Sequence, residues 1–356
     1  MAEERLIDFV EQVSGGTRLR VEESLGDGFV RLRTEEAERR QAKHDIRHVE
    51  DAVCEMLRNA RDAHAERIYI ATSREGDRRC LVAIDDGDGI PKALQELVFD
   101  ARVTSKLETM VEDEWGIHGR GMALFSIKSN VQRAWVVSSA PNLGSAIRLD
   151  IDTSHLAERS DQSSFPELKR NAEGRLEVAT GPKNITRTAL EFALIHKDRL
   201  QVFLGSSSEI ASTLCAHAQR NVSSDVLLFC DDPESVPVVW RLALANDAAE
   251  LMMIAASIGL DLSERTAHRI LSGQIAPVSD LVSRAQATSR RSGGGVNIFR
   301  DSRGLKLAPE DIEAFSREME KAFEGLAERY YLSLTDLPRV QVKGDMITVR
   351  FPIEKE

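Results

Sequence analysis

Between residues 55 and 122 three short motifs follow one another in an order that leaves few folds open. The first, Glu55-Met-Leu-Arg-Asn59-Ala-Arg-Asp62-Ala63, sits in a stretch whose apolar residues Ile46, Val49, Val53, Met56, Leu57 and Ala60 recur at threes and fours, the period of a helix with one buried face. On such a helix Glu55 and Asn59 share a side. A carboxylate there can align or deprotonate a water. An amide oxygen one turn later can ligate Mg²⁺, which takes oxygen donors and keeps some of its waters. The second motif, Asp85-Asp86-Gly87-Asp88-Gly89-Ile90, follows an apolar strand at 81–84. A carboxylate at a strand end, followed by alternate glycines, lets a base be read by hydrogen bonds while the backbone comes close. Read as an EF-hand loop, it places Ile90 where the turn needs glycine, which excludes that calcium site. The third motif, Gly116-Ile-His118-Gly119-Arg120-Gly121-Met122, is a glycine-rich loop entering a helix, where N–H groups and the positive dipole end suit phosphate. No G-K-[ST] closes it, so it is not a P-loop.

At these spacings the motifs resemble the N, G1 and G2 boxes of the GHKL ATPases (gyrase B, heat-shock chaperones, histidine kinases and MutL), over roughly residues 40–150. The resemblance implies an α/β sandwich, a mixed sheet covered by helices on one face, with ATP and Mg²⁺ between the helices and a mobile lid. It implies that Glu55 is the general base for hydrolysis and Asn59 the Mg²⁺ ligand, with Asp62 in the same nucleotide set. Asp85 would hold the adenine amino group, with Gly87, Gly89 and Ile90 shaping its pocket. Gly116, Gly119, Arg120, Gly121 and Met122 would line the triphosphate, and His118 either touches phosphate or is exposed. Thr104-Ser105-Lys106 looks like the T-S-K element of MutL-type members, with Lys106 the phosphate contact from the lid.

Within the superfamily, a box that opens with Glu55 and ends Asp62-Ala63 resembles MutL, gyrase and the ninety-kilodalton chaperones. Histidine kinases carry a phospho-accepting histidine well upstream. Here the upstream candidates are His44 and His48, close to the first motif and expected on the same helix. His44-Asp-Ile-Arg-His48 also mimics a zinc H-E-x-x-H, but no third ligand is evident.

The length of 356 residues suggests two domains. We expect an ATP-binding domain at 1–152 with core motifs at 50–128, a linker or flexible loop at 153–181, and a mixed α/β effector or transducer-like region at 182–356. The pattern predicts one helix from 35 to about 65, strands at 29–32, 67–72, 80–84, 134–138, 146–151 and 296–300, and a helix opening at Pro91 and running to 99. A helix from 309 and a hairpin pairing 339–342 with 346–351 close the chain. Residues 251–272 resemble a helix-turn-helix, with Ser263 capping a second helix that presents Arg265, Thr266 and Arg269 to DNA. Its long turn is similar to the helix-two-turns-helix of type VI topoisomerase B subunits; the other reading is an ordinary helical hairpin packed on its Leu and Ile faces. In MutL- and gyrase-like members a second domain supplies a lysine to the γ-phosphate, for which Lys183 and Lys343 are the candidates.

The net charge of −11 argues against coating nucleic acid with the whole surface, while leaving room for a local basic patch. The scattered cysteines fit neither a disulfide framework nor a zinc ribbon. No apolar run approaches a membrane helix and the start is acidic and amphipathic, so a cytoplasmic protein with no membrane partner is expected. The reading is thus an ATP-binding protein, a Mg-dependent hydrolase whose lid closure and homodimerisation control a DNA-linked effector. The alternatives are a chaperone-like or regulatory module acting on a protein client, and a protein kinase of the histidine-kinase or anti-sigma type.

Overall fold

The structure, a computed structural model, describes residues 21–32, 36–104, 111–113, 116–118, 122–159, 161–171, 176–221, 232–291, 309–330, 332–343 and 346–355. An N-terminal hairpin, β1 (Val21–Gly26) and β2 (Phe29–Leu32), precedes two helices, α1 (Glu36–Lys43) and α2 (Val49–Asp62). The single helix expected from 35 to 65 is therefore broken. The Asp51 carboxylate accepts the N–H groups of Arg47 and His48 (3.0 Å each), and His48 is extended backbone (φ −140°, ψ 161°). That arrangement starts a new helix at Val49 and removes the single helical face that His44 and His48 were expected to share.

Next come β3 (Arg67–Glu75) and β4 (Arg78–Asp85), then two 3₁₀ turns, Lys92–Leu94 and Leu97–Phe99, where a helix was expected. The Gln95 side chain bonds Ile90 O and Ser139 O, which fixes the stretch as turns on the neighbouring hairpin. The short β5 (Val103–Thr104) pairs with β2, and β6 (Val111–Asp113) pairs with β7 (Gly116–His118). Helix α3 (Ala123–Asn130) leads to β8 (Arg133–Ser139) and β9 (Ser145–Asp152), both close to expectation.

The stretch 153–181, expected as a linker, is packed instead. Glu50 lies on α2 at 1% exposure, and burial pushes its carboxyl above the usual range. A buried carboxylate needs donors, and this stretch supplies the Arg159 N–H (3.1 Å) and Gln162 Nε2 (2.6 Å). It also forms the hairpin β10 (Glu167–Arg170) with β11 (Leu176–Thr180). Asn184 caps the following helix, α4 (Ile185–Ile195), and ties it back to Asp161 O and Ser164 O, 2.8 Å each.

The second half then contributes a strand to the first. β12 (Gln201–Gly205) pairs parallel with β3, giving a five-stranded sheet ordered β12-β3-β4-β9-β8. Along β3 and β4, successive side chains point to opposite faces. Ile68, Ile70, Leu81 and Ala83 meet α2 and α4 in one core. Tyr69, Ala71, Val82 and Ile84 meet a second core, built from α5 (Ser207–Asn221), the 3₁₀ turn Val238–Leu244, α6 (Ala248–Ser257) and α7 (Glu264–Leu271). One face is covered by α2 together with α4 and the start of α8 (Leu281–Arg291), which come from the region assigned to the effector; the other face is covered by residues of that region alone.

Consequently the compact units divide at 287/288 rather than between 152 and 182. The division falls within α8, whose Leu281 and Ala285 belong to the first core. The second unit contains α9 (Pro309–Tyr330), β13 (Leu332–Leu334) paired with β16 (Ile353–Lys355), and the expected hairpin β14 (Arg339–Lys343) with β15 (Met346–Arg350). In it, Phe323 stacks on Phe351 with ring centroids 4.8 Å apart. The strand expected at 296–300 lies outside the described residues. Among those described, no helix is long and apolar enough to cross a membrane.

Leu251 of α6 is fully buried in the second core. We expect Leu251→Ala to cost about 2–5 kcal/mol, and because this core shares strands with the first, the loss should appear as one shifted transition in urea unfolding of the whole first unit.

Candidate functional site

A cavity of about 1030 Å³ opens between α2, the end of β4, the start of β9 and the start of α3. Its α2 wall carries Glu55, Asn59 and Asp62, spaced at four and seven and so placed on one side of the helix. Asp62 also accepts the Arg61 guanidinium at 2.8 Å. Asn59 faces the cavity, and its Nδ2 is buried with no hydrogen-bond partner among the described residues. A buried amide of this kind suits a ligand that meets it through hydrogen bonds or, at its oxygen, through a cation. Among the described residues no group of three or more His, Cys, Asp or Glu is disposed to hold a metal by itself. Mg²⁺ fits such a site if substrate phosphates and waters complete its shell around Asn59, the way it is ordinarily held.

Asp85 ends β4 at 5% exposure. The register of β4 with β9 sets Ser145 opposite it, and the Ser145 hydroxyl donates to Oδ2 at 2.5 Å while the Gly87 N–H donates to Oδ1 at 2.9 Å. Burial outweighs these two donors and pushes the Asp85 carboxyl up to about 6. The loop after Asp85 is stitched on both sides. Asp88 N–H donates to Ala63 O (2.8 Å), Asn142 N–H to Asp88 O (2.6 Å), and Gly144 N–H to Gly87 O (3.1 Å). Such closeness requires glycine: a Cβ on Gly89 (φ +72°) would stand 2.0 Å from Ala140 O, and one on Gly144 (φ +77°) 2.1 Å from Asp85 O. A Cβ on Gly87 would lie 2.4 Å from Ala63 O, so this glycine serves the packing behind Asp85 while Gly89 and Ile90 line the cavity.

Met122 also lines the cavity, at the start of α3 and 8% exposed. Gly116 and His118 lie on β7, and Thr104 on β5, where its backbone pairs with Val30. Ser105, Lys106, Gly119, Arg120 and Gly121 lie outside the described residues. Lys183 is exposed and does not line the cavity; Lys343 belongs to the second unit.

Three contributions were missed by sequence reasoning. Ser145 meets Asp85 only through strand register, which has no local signal. Arg58 lines the cavity and donates to Glu55 Oε1 at 2.5 Å; its position three after Glu55 was signal enough for a shared helix side. The rim is completed by Asp27, Gly28 and Phe29 of the β1–β2 turn and by residues 44–47 between α1 and α2.

Away from the cavity, α6 and α7 form the helical pair expected at 251–272. Ser263 caps α7 by accepting the Thr266 N–H (3.2 Å). The turn is held on the sheet: a Cβ on Gly259 (φ +88°) would stand 3.2 Å from methyl groups of both Val82 and Val137, Arg148 donates to Gly259 O (3.1 Å), and Arg148 pairs with Asp261 (2.8 Å). Ala267 and Ile270 face the core, whereas Arg265, His268 and Arg269 are exposed and Thr266 is half-buried. The pair packs its apolar face on the sheet and leaves Arg265 and Arg269 in solvent.

The raised Asp85 carboxyl has a stability consequence. Its folded value near 6 exceeds the ordinary 3.8, so the folded state binds the proton more tightly, stability falls as pH rises from about 4 to 6, and the penalty is complete at pH 7. We expect Asp85→Asn to raise the ligand-free unfolding free energy at pH 7 by about 1–3 kcal/mol, a gain that disappears below about pH 4. Chemical denaturation across that range measures it. Gly144→Ala should lose about 1–3 kcal/mol in the same assay.

Comparison with known proteins agrees with this geometry. Residues 46–173 match the family model described as histidine kinase-, DNA gyrase B- and HSP90-like ATPase. The DNA mismatch repair protein MutL of Rhodopseudomonas palustris is 30% identical over 215 residues, covering 59% of this chain and 32% of that protein. That of a Bradyrhizobium species is 29% identical over 218 residues, covering 59% and 31%. MutL of Thermus thermophilus is 40% identical over 80 residues, covering 22% and 14%. The chain spans about a third of the length of the first two. Over residues 46–173 this chain is accordingly similar to the ATP-binding domains of the GHKL superfamily, that of MutL among them.

Proposed function

We propose that this protein binds Mg-ATP in the cavity and hydrolyses it, using nucleotide-driven lid closure and homodimerisation to act on a DNA-linked effector. The observation that carries the reading is the convergence of Glu55, Asn59, Asp85 and Ser145 on one cavity. Asp85 is the purine-reading group: a buried, charged carboxylate accepts the adenine amino hydrogens. Apolar walls from Met56, Ile90, Val98 and Ile147 flank the base. Asn59 would hold Mg²⁺, which would neutralise phosphate charge. Glu55 orients and deprotonates the attacking water. Phosphoryl transfer asks little more of a protein than positioning and charge neutralisation. The role in DNA transactions rests on the MutL likeness and on the exposed Arg265 and Arg269 of α7. The cavity and α7 both belong to the first unit.

Glu55→Ala is expected to bind a non-hydrolysable ATP analogue at least as tightly as the wild type while abolishing phosphate release. Asp85→Asn should weaken analogue binding at least tenfold, or about 1.4 kcal/mol, and wild-type affinity should fall as pH drops through about 6, where Asp85 takes up its proton. Calorimetry and a phosphate assay measure both; intact hydrolysis in the Glu55 variant would remove the base assignment. The analogue should also shift the protein from monomer to dimer in sedimentation. A change of Arg265 and Arg269 to Gln should reduce DNA retention and flatten its salt dependence. A stable phosphoprotein formed from ATP, in place of free phosphate, would favour the kinase reading.

A further inference from the structure

Among the described residues the cavity walls carry the wrong sign for a polyanionic ligand. The described walls carry six carboxylates, Asp27, Asp45, Glu55, Asp62, Asp85 and Asp88, and two guanidiniums, Arg47 and Arg58. Arg47 is exposed, whereas Arg58 is 6% exposed and is the buried cation among these residues. Its Nη1 sits 2.5 Å from Glu55 Oε1, and the two side chains are 7% and 20% exposed. A buried cation of the cavity is thus held by the acid assigned to activate water. A guanidinium on a carboxylate stabilises the charged form, which makes that carboxylate a weaker proton acceptor than it would be alone. The same planar fork matches phosphate oxygens as well as carboxylate oxygens.

We propose that Arg58 is a counter-ion exchanged by the nucleotide: without ligand it holds Glu55, and on binding of a triphosphate it transfers to the terminal phosphate. This rests on the nucleotide reading above and adds its control. The exchange leaves the Glu55 carboxylate to take the water proton. In the step that follows, the water oxygen bonds to the γ-phosphorus, its proton passes to Glu55, and the bond to the bridging oxygen breaks with its electron pair leaving on ADP. A diphosphate lacks the group that draws Arg58 away. Base activation is therefore tied to the presence of the phosphate to be cleaved, and without ligand Glu55 stays paired.

The test is a double-mutant cycle on the full chain, with Mg²⁺, using ADP and a non-hydrolysable ATP analogue in calorimetry and thermal unfolding as the fold check. Arg58→Gln should weaken the analogue about tenfold or more while changing ADP less than about threefold, since hydrogen bonds to charged groups carry that difference. Arg58→Lys keeps the charge without the fork and should fall between the two. Glu55→Gln weakens the hold on Arg58 in advance and should tighten the analogue several-fold, a gain that vanishes in the Arg58→Gln background. An unchanged ratio of analogue to ADP affinity in Arg58→Gln overturns the proposal, as does a Glu55→Gln gain that survives loss of Arg58; either would make Arg58 a structural clasp on the helix. Should Arg58→Gln fail to fold, Arg58→Lys and Glu55→Gln decide by the same ratio. Wild-type protein that binds neither nucleotide would overturn the nucleotide reading itself, a result distinct from these.

Discussion

The pairing register of β4 with β9 is the constraint on which the site depends. It sets Ser145 opposite Asp85 and Ile147 opposite Ala83, so that a hydroxyl donor and an apolar wall arrive together at the cavity floor. A slip of one residue would turn every one of these side chains to the other face. The register is pinned at its end by Gly87, Gly89 and Gly144, whose backbones approach Ala63, Ala140 and Asp85 more closely than any side chain would permit. The result is a carboxylate kept charged at neutral pH in a place that disfavours charge. Ligand sites commonly carry such a cost, and it is borne here by the surrounding sheet.

That sheet is covered on both faces, and the hairpin between β8 and β9 serves both. Toward the cavity, Asn142 and Gly144 hold the loop after Asp85, and Ser139 Oγ accepts the Ile90 N–H at 2.7 Å. Toward the rear layer, Leu143 O accepts the Val238 N–H at 2.8 Å, and the fully buried Arg241 donates to Ser138 Oγ at 2.5 Å and to Val236 O at 2.9 Å. Burial holds the Arg241 guanidinium below its usual range, and its partners here are a hydroxyl and backbone carbonyls. Base-reading loop and rear helices are thus built on one short stretch of chain. This explains why residues 21–287 pack as a unit in which no cut between 152 and 182 would leave two intact cores.

How much of this could be read beforehand varied with the range of the interaction. The shared side of Glu55, Asn59 and Asp62 was legible because helical geometry is local. The break before Val49 was not, since a histidine at the cap carries none of the usual Ser, Thr, Asp or Asn signal. The stretch after Pro91 has the apolar content of a helix, and Gln95 decides otherwise by bonding a hairpin that lies far along the chain. One signal was available and not used: the unbroken apolar runs at 68–71 and 81–84 are those of strands buried on both faces. Drawn out, they would have called for a second layer and placed residues after 200 against the first domain.

By itself the sequence determined the chemistry: a helix-borne acid and amide, a glycine-flanked carboxylate after a strand, and a glycine loop, because each is a local pattern with a local geometry. Tertiary structure alone decided what stands opposite Asp85, what neutralises Glu55, and where the first domain ends. Those depend on strand register, on which charges are driven together by burial, and on a fifth strand contributed from the second half, and none of these has a signature within a few residues of itself.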